Sequence, residues 1–326
     1  MSLEAGPAGI EIELNAAIVS VHEETPIVAI VEGLAQGADR GADLLPFGPF
    51  DPLRHRTMET GLRSWVLEQR GIELGYVEQL YSFGDRGRHA EPGDTGPHVV
   101  SIGYLALTQL PAGKKPRAGW HAIYDYFPWE DWRDGRPDIL DSEMMPRLRR
   151  WASDRGGRDD RNPLSRSERL ALCFGVDPAV WDDERVLERY ELLYEAGLLA
   201  EALRDGRVAA NAWQPRPILG RKMRFDHRRI LATAMGRLRA KIKYRPVIFE
   251  LMPSAFTLTE LQKTVESIAG RHLHKQNFRR LVEQGQLVEP TGTNRLTTGG
   301  RPAQLFRFRR EVLPERPAPG LRYAGR

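Results

Sequence analysis

The chain has 326 residues, 41% hydrophobic and 28% charged, and a formal net charge of +4. These proportions fit a globular chain of about two domains and exclude a disordered or collagen-like polymer. No apolar run reaches the roughly 18 residues that a membrane span needs, so no transmembrane helix and no membrane partner are expected.

The opening MSLEAGPAGIEIEL has no basic stretch ahead of an apolar one, so no secretory signal is expected. The one cysteine, Cys173, sits in the apolar run LALCFG. Alone it forms neither an internal disulfide nor a zinc site built on cysteine pairs, and it reads as a small buried hydrophobe. The expected compartment is the cytoplasm, with association to the nucleoid. Charge becomes informative once it is divided. Residues 221–326 hold 23 Lys and Arg against 8 Asp and Glu, whereas residues 1–220 hold 25 against 36. An acidic body with a basic final third points to a polyanionic partner, although charge alone does not separate DNA from RNA or an anionic membrane.

In chain order, 10–21 (IEIELNAAIVSV) and 26–31 (PIVAIV) read as strands. Residues 33–43 read as a turn and 44–52 (LLPFGPFDP) as a loop. Residues 57–70 read as a helix whose face carries Met58, Leu62, Trp65, Val66 and Gln69, with Gly71 as its stop. Strands follow at 76–83 and 99–107, separated by a loop over 84–97. Residues 133–222 read as a helical insertion, with helices at 143–152 and 184–203. In the second, Leu187, Tyr190, Tyr194 and Leu198 form a stripe for the core or for a dimer contact. Residues 226–242 form an amphipathic helix with Ile230, Ala234, Leu238 and Ile242 inward, and with Arg228, Arg229, Arg239 and Lys243 off that face.

From residue 246 the pattern is compact. PVIFELM is a short apolar helix. Thr257 and Glu260 make a capping box that opens a helix with Leu261, Val265 and Ile268 inward and Gly270 at its end. A short link leads to a second helix, 274–283, whose inner face is Phe278, Leu281 and Val282. Gln276 and Arg280 then point outward, flanked by Lys275, Asn277 and Arg279. A strand (QLVEP), a Gly/Thr/Asn/Arg turn and a second strand (AQLFRFR) complete a winged helix-turn-helix. Such a module places its second helix in the major groove of duplex DNA. There Arg pairs with guanine, and Asn or Gln with adenine. The expected DNA-contacting residues are Thr257, Thr259, Lys275, Gln276, Asn277, Arg279 and Arg280, with Arg295 and Arg301 from the hairpin.

The string FTLTELQKTVESIAGRHLHKQNFRR, with LVEPTG and GGRPAQLFRF, closely resembles the DNA-binding half of the Nudix-related transcriptional regulators of NAD metabolism (NrtR-like; alphaproteobacterial NAD regulators). LPFGPFD, GLRSWVLEQRGI, YVEQLYSFGDRGR and VVSIGYLAL resemble its N-terminal half, and DHRRILATAMGRLR its joining helix. Within the insertion only YFPWEDWR matches. The resemblance implies an α+β chain: a Nudix-like α/β/α sandwich with a helical insertion, then the winged helix. Its expected limits are 8–245 for a ligand-sensing domain, with the insertion at 133–222 and the linking helix at 226–242, 246–312 for the DNA-binding domain, and 313–326 for a basic tail.

In Nudix enzymes a box G-x5-E-x7-R-E-U-x-E-E-x-G-U gathers glutamates around a divalent metal. With Gly71 on the last glycine, Phe50, Arg56, Ser64, Trp65 and Gln69 stand where the box has glycine, glutamate, arginine, glutamate and glutamate. Of the box glutamates Glu68 remains, and Glu59 lies nine residues before it. The expectation is therefore no catalytic residue, no metal, no required cofactor and no useful hydrolysis. The resemblance implies ADP-ribose or a related NAD nucleotide as effector. Phe47, Phe50, Arg63, Asp85, Arg86 and Arg88 are the expected contacts, through arginine to phosphate and an aromatic to adenine. Trp65 and Phe50 also read as core residues, and the loop arginines as solvated ones. A homodimer on a palindromic operator completes the expectation. An active pyrophosphatase with an accessory nucleic-acid module, or an RNA-binding scaffold, are the rival readings.

Overall fold

The computed structural model describes residues 9–31, 41–89, 96–110, 116, 118–154, 163–295, 302–315 and 320–321. The expected turn at 33–43 lies mostly outside them. β1 (Ile10–His22) and β2 (Thr25–Ala29) form a hairpin turning on Glu23 and Glu24, both at positive φ (45° and 63°). That backbone matches the twist of the two strands. β3 (Phe47–Pro49), a strand inside the expected loop, pairs with β1 and leads to α1 (Met58–Arg70). β4 (Tyr76–Phe83), the one-turn helix α2 (Arg86–His89), β5 (His98–Leu107) and β6 (Trp120–Ala122) follow. α2 replaces part of the loop expected over 84–97. The sheet order is β4-β5-β1-β2-β6, with β1 and β5 parallel and the other neighbours antiparallel.

The alternation of side chains along a strand sorts this sheet into two faces. Leu14, Ala16 and Ile18 of β1, with Ile102, Tyr104 and Ala106 of β5, pack with Leu62 and Val66 of α1. Ala17, Val19, Leu105 and Leu107 face the other way, into a larger core. α1 has a Thr57–Thr60 capping box at its start and Gly71 at φ 63° at its end.

The larger core is roofed by the insertion. α3 (Ile123–Tyr126), a π turn (Leu140–Met144) running into α4 (Met145–Ser153), α5 (Arg166–Phe174), α6 (Val186–Glu195), α7 (Ala200–Arg204) and a 3-10 turn (Val208–Ala212) lead to α8 (His227–Tyr244). The helix expected over 184–203 is two helices. The chain breaks at Gly197, φ 73°, where a Cβ would come within 2.4 Å of the Ala209–Ala210 backbone. Tyr190, Tyr194 and Leu198 are buried, so their stripe belongs to the core. Cys173 is buried too, and burial pushes its thiol up to about 11.

The placement of Arg228 and Arg239 away from the buried face of α8 is corrected, because both are fully buried. Arg228 reaches Glu201 at 3.2 Å and donates to the backbone oxygens of Tyr126 and Leu219. Arg239 reaches Glu130 at 2.6 Å, and Arg189 holds the other oxygen of the same carboxylate at 2.5 Å. A buried carboxylate requires this degree of pairing. Burial alone would raise the Glu130 carboxyl, but the two guanidiniums hold it below the usual range.

After α8 come a 3-10 turn (Val247–Leu251), α9 (Leu258–Ala269), α10 (Lys275–Gly285), β7 (Val288–Arg295), β8 (Ala303–Phe308) and α11 (Val312–Glu315). β7 continues through the residues expected as a turn, with an irregularity between Pro290 and Asn294. Phe256 and Phe306 exchange backbone hydrogen bonds at 2.9 and 2.8 Å, tying the segment before α9 to the hairpin. Phe256, Leu261, Val265, Ile268, Phe278 and Val282 join the same core as α8 and the insertion, without a gap. Of the last stretch, Leu321 is buried and donates to Ile242 O at 3.0 Å, so it docks on the end of α8.

Replacing Glu130 by alanine leaves two buried guanidiniums without their counter-ion. Chemical denaturation is expected to show a loss of about 3–5 kcal/mol. Because the folded carboxyl titrates below its unfolded range of about 4.3, the wild-type advantage is full above that pH and fades below it.

Candidate nucleic-acid interface and effector site

The capping box that opens α9 is present in both directions. Thr257 Oγ1 accepts from Glu260 N at 3.1 Å, and the Glu260 carboxylate accepts from Thr257 N at 2.7 Å. Gly270 closes α9 at φ 69°, and the chain turns through His274 into α10. Phe278 and Val282 anchor α10 from beneath. Lys275, Gln276, Asn277, Arg279 and Arg280 are all exposed on it, together forming a polar and cationic face. Thr259 is exposed at the start of α9, whereas Thr257 is half-buried and engaged in the cap. Arg295 stands at the end of β7, paired with the capping Glu260 at 2.5 Å. An exposed pair of this kind is worth at most about 1 kcal/mol, so a phosphate can displace it. Arg301 lies outside the described residues.

The N-terminal half carries a different chemistry. Of the six expected effector residues, Phe47, Asp85 and Arg88 lie around the start of α8. Phe47 has its ring 5.3 Å from that of His227. Asp85 pairs with Arg229 at 2.5 Å, and Arg229 pairs with Glu191 at 2.5 Å. Glu191 takes both ends of Arg88, at 3.0 and 2.6 Å, and the Arg88 guanidinium lies 3.8 Å above the Tyr194 ring. Phe50 and Arg63 lie with α1, on the opposite face of the sheet. Phe50 packs into the smaller core, and Arg63 pairs with Glu59 at 2.8 Å and donates to Gly75 O at 3.1 Å. The side chain of Arg86 lies outside the described part. The sequence reading did not place His227 or Phe225 among the effector contacts, although DHRR at a helix start was the available signal.

Trp65 and Gln69 hold α1 against β3. Trp65 Nε1 donates to Pro49 O at 2.9 Å, and its ring fills the space beside Gly48, where a Cβ would come within 2.4 Å. Gln69 exchanges hydrogen bonds with both backbone groups of Phe47, at 3.1 and 2.6 Å. Glu59 and Glu68 are exposed. Among the described residues, the three carboxylates that meet within 4.8 Å are Asp182, Asp183 and Glu184, ahead of α6 and away from α1. Lys243 pairs with Asp183 and Glu184, and Arg271 with Asp183. Among the described residues no helix is long and apolar enough to cross a membrane.

Against known proteins, residues 248–308 match the family model described as the NrtR DNA-binding winged helix domain. Over those residues the chain is similar to the NrtR winged helix. Over 84 residues it is 45% identical to the "ADPR responsive transcriptional repressor NtrR" of Acinetobacter baylyi, a match covering 26% of this chain and 33% of that protein. The alignment thus spans about a third of that relative's length. Shewanella oneidensis NrtR superposes with a TM-score of 0.52 at 19% identity, over 92% of this chain and 95% of that one. The same protein solved with a 27mer DNA gives 0.51 at 19%, over 92% and 94%. A MutT/nudix family protein from Enterococcus faecalis gives 0.50 at 15%, over 95% and 90%. At these identities the likeness is one of fold. The architecture is NrtR-like, a Nudix-type α+β half followed by a winged helix.

Burial lifts the Asp226 carboxyl, at the start of α8, to about 6; Arg229 and Arg88 pull it down, while Glu191 and Asp85 push it further up. A carboxyl raised on folding weakens the fold where it ionises. The Asp226→Asn variant is therefore expected to melt higher than wild type at pH 8. That gap should close as pH falls from about 6 toward the unfolded aspartate value of about 3.9, which melting curves across that range test.

Proposed function

We propose that this chain is a DNA-binding transcriptional repressor of NAD biosynthesis or salvage genes, and that it senses ADP-ribose or a related NAD metabolite. The observation that carries this reading is the exposed polar face of α10 within a winged helix of the NrtR type. Gln276, Asn277 and Arg280 have the donor and acceptor groups that read base edges, and Lys275 and Arg279 the charge that holds phosphates. Residues 246–312 form the DNA-binding half and residues 8–245 the sensing half. A homodimer places two α10 helices about one turn apart on a palindromic operator. The name of the Acinetobacter baylyi relative supports ADP-ribose as the effector.

The sensing half binds without hydrolysing. Trp65 and Gln69 spend their polar groups on the β3 backbone, and α1 offers Glu59 and Glu68 at separate places. These residues do not fit a magnesium cluster, which needs several carboxylates at one point.

Mobility-shift titration of the full-length protein against its own upstream region and NAD-biosynthetic promoters tests the reading, with and without ADP-ribose, NAD and nicotinamide mononucleotide. Arg280→Ala is expected to weaken specific binding by about 1–3 kcal/mol and to relax preference at one position. Lys275→Ala is expected to weaken all duplexes alike and to reduce the salt slope by about one. Indifference to promoter sequence, together with brisk magnesium-dependent cleavage of ADP-ribose, would overturn the proposal.

A further inference from the structure

Two buried polar atoms near the start of α8 have no partner among the described residues. His227 is fully buried, and its Nδ1 accepts from the Leu45 N–H at 2.9 Å, so Nε2 carries the proton of the neutral ring. That Nε2–H is unpartnered, and the Oδ1 of Asn15, another fully buried side chain, is unpartnered too. Asn15 stands opposite Phe47 in the β1–β3 register, and the Phe47 ring lies 5.3 Å from that of His227. Glu13 shares the β1 face of Asn15 and brings Oε1 to 3.9 Å from His227 Nε2, beyond direct hydrogen-bonding reach. A buried donor left unmet costs about 1–3 kcal/mol, so its persistence in a fold calls for an explanation.

The residue just before this turn is strained. Phe225 has φ 51°, a region that bulky side chains rarely enter and that is concentrated at functional sites. The strain is held by Arg224 N donating to Asp43 O at 3.1 Å and by Arg204 Nη2 donating to Phe225 O at 3.1 Å. It sets the half-buried Phe225 ring 5.6 Å from His227 and 6.4 Å from Phe47, with the Arg224 guanidinium 4.6 Å above it.

The geometry points to a ligand seat at the first turn of α8, in which a sugar hydroxyl accepts from His227 Nε2–H and donates to Glu13 or Asn15, beside the touching rings of Phe47 and Phe225. A hydroxyl fits because it accepts and donates at once, which a phosphate facing the Glu13 carboxylate does not. The seat thus reads the ribose of a nucleotide, with Arg224 beside it for phosphate. This inference rests on the nucleotide-sensing function proposed above and names the residues that hold the effector. Its position has a mechanical meaning, because the ligand would touch the helix whose Arg239 grips the end of α9.

The test is calorimetric titration of ADP-ribose into the full-length protein and three variants. His227→Asn keeps an oxygen for the Leu45 N–H but has no group at Nε2, and is expected to bind at least ~10-fold more weakly, about what one buried hydrogen bond is worth. His227→Gln carries its amide out to the Nε2 position and is expected to recover most of that loss. Phe225→Gly relieves the positive φ, so it is expected to unfold no more easily while binding several-fold more weakly, at roughly the worth of one aromatic contact. DNA affinity without ligand is expected to stay at the wild-type level in all three. Wild-type affinity in both His227→Asn and Phe225→Gly would show that Nε2 meets only water and would overturn the seat. A wild-type protein that binds promoter DNA but no ADP-ribose would instead overturn the effector reading itself, a result that the wild-type titration alone identifies.

Discussion

One carboxylate organises the molecule. Glu130 is 2% exposed and receives Arg189 from α6 and Arg239 from α8. Buried charges of this kind add little net stability, but they penalise every arrangement in which one of them loses its partner. The insertion, the linking helix and the sheet are thereby locked in one relative pose. Arg239 extends that lock, donating to Ile268 O at 2.9 Å and to Asp183 O at 2.8 Å. Tyr124 donates to Ser267 O at 2.6 Å, and Trp132 N to Gly270 O at 2.6 Å. α9 is thus held at its C-terminal end by donors from the N-terminal part of the chain.

This arrangement explains how one end of the chain can report to the other. α8 is about 27 Å long at the usual helical rise. Its first turn carries His227 and the Asp85–Arg229–Glu191–Arg88 network, and its later turns carry Arg239 and Lys243. In the function proposed above, ligand and DNA would influence one another only so far as each prefers one of two poses of this assembly. A discrete ionic joint is suited to that role, because partial displacement of a buried pair gains nothing and costs desolvation.

Much of the fold was legible locally. Alternation gave β1 and β4, a run of apolar residues gave β5, and Gly71, Thr257 and Gly270 marked the ends of α1 and α9, since each acts within a turn of where it stands. The exposed face of α10 followed from Phe278 and Val282 beneath it. What distant partners decide was not legible. Arg228 and Arg239 fall off the apolar stripe of α8, yet Glu201 and Glu130 draw them inside. The break at Gly197 depends on backbone at 209–210 that passes against it. Phe50 and Arg63 were grouped with Asp85 and Arg88 for the contacts their side chains can make with a nucleotide, but the sheet stands between the two sets. The role of His227 depends on the Leu45 N–H, 182 positions away, which fixes its ring proton.

The grip on α9 acts on peptide oxygens of Ser267, Ile268 and Gly270, not on their side chains. A helix end exposes such oxygens whatever residues compose it. Apart from Ile268, which fills the core, and Gly270, where a Cβ would come within 2.3 Å of Glu130 O, the final turn of α9 can drift in sequence without loosening its attachment. Tyr124, Glu130 and Arg239 have no such latitude, since each supplies a side-chain atom that no backbone provides. Descendants of this chain could therefore diverge around the joint while keeping these three side chains fixed.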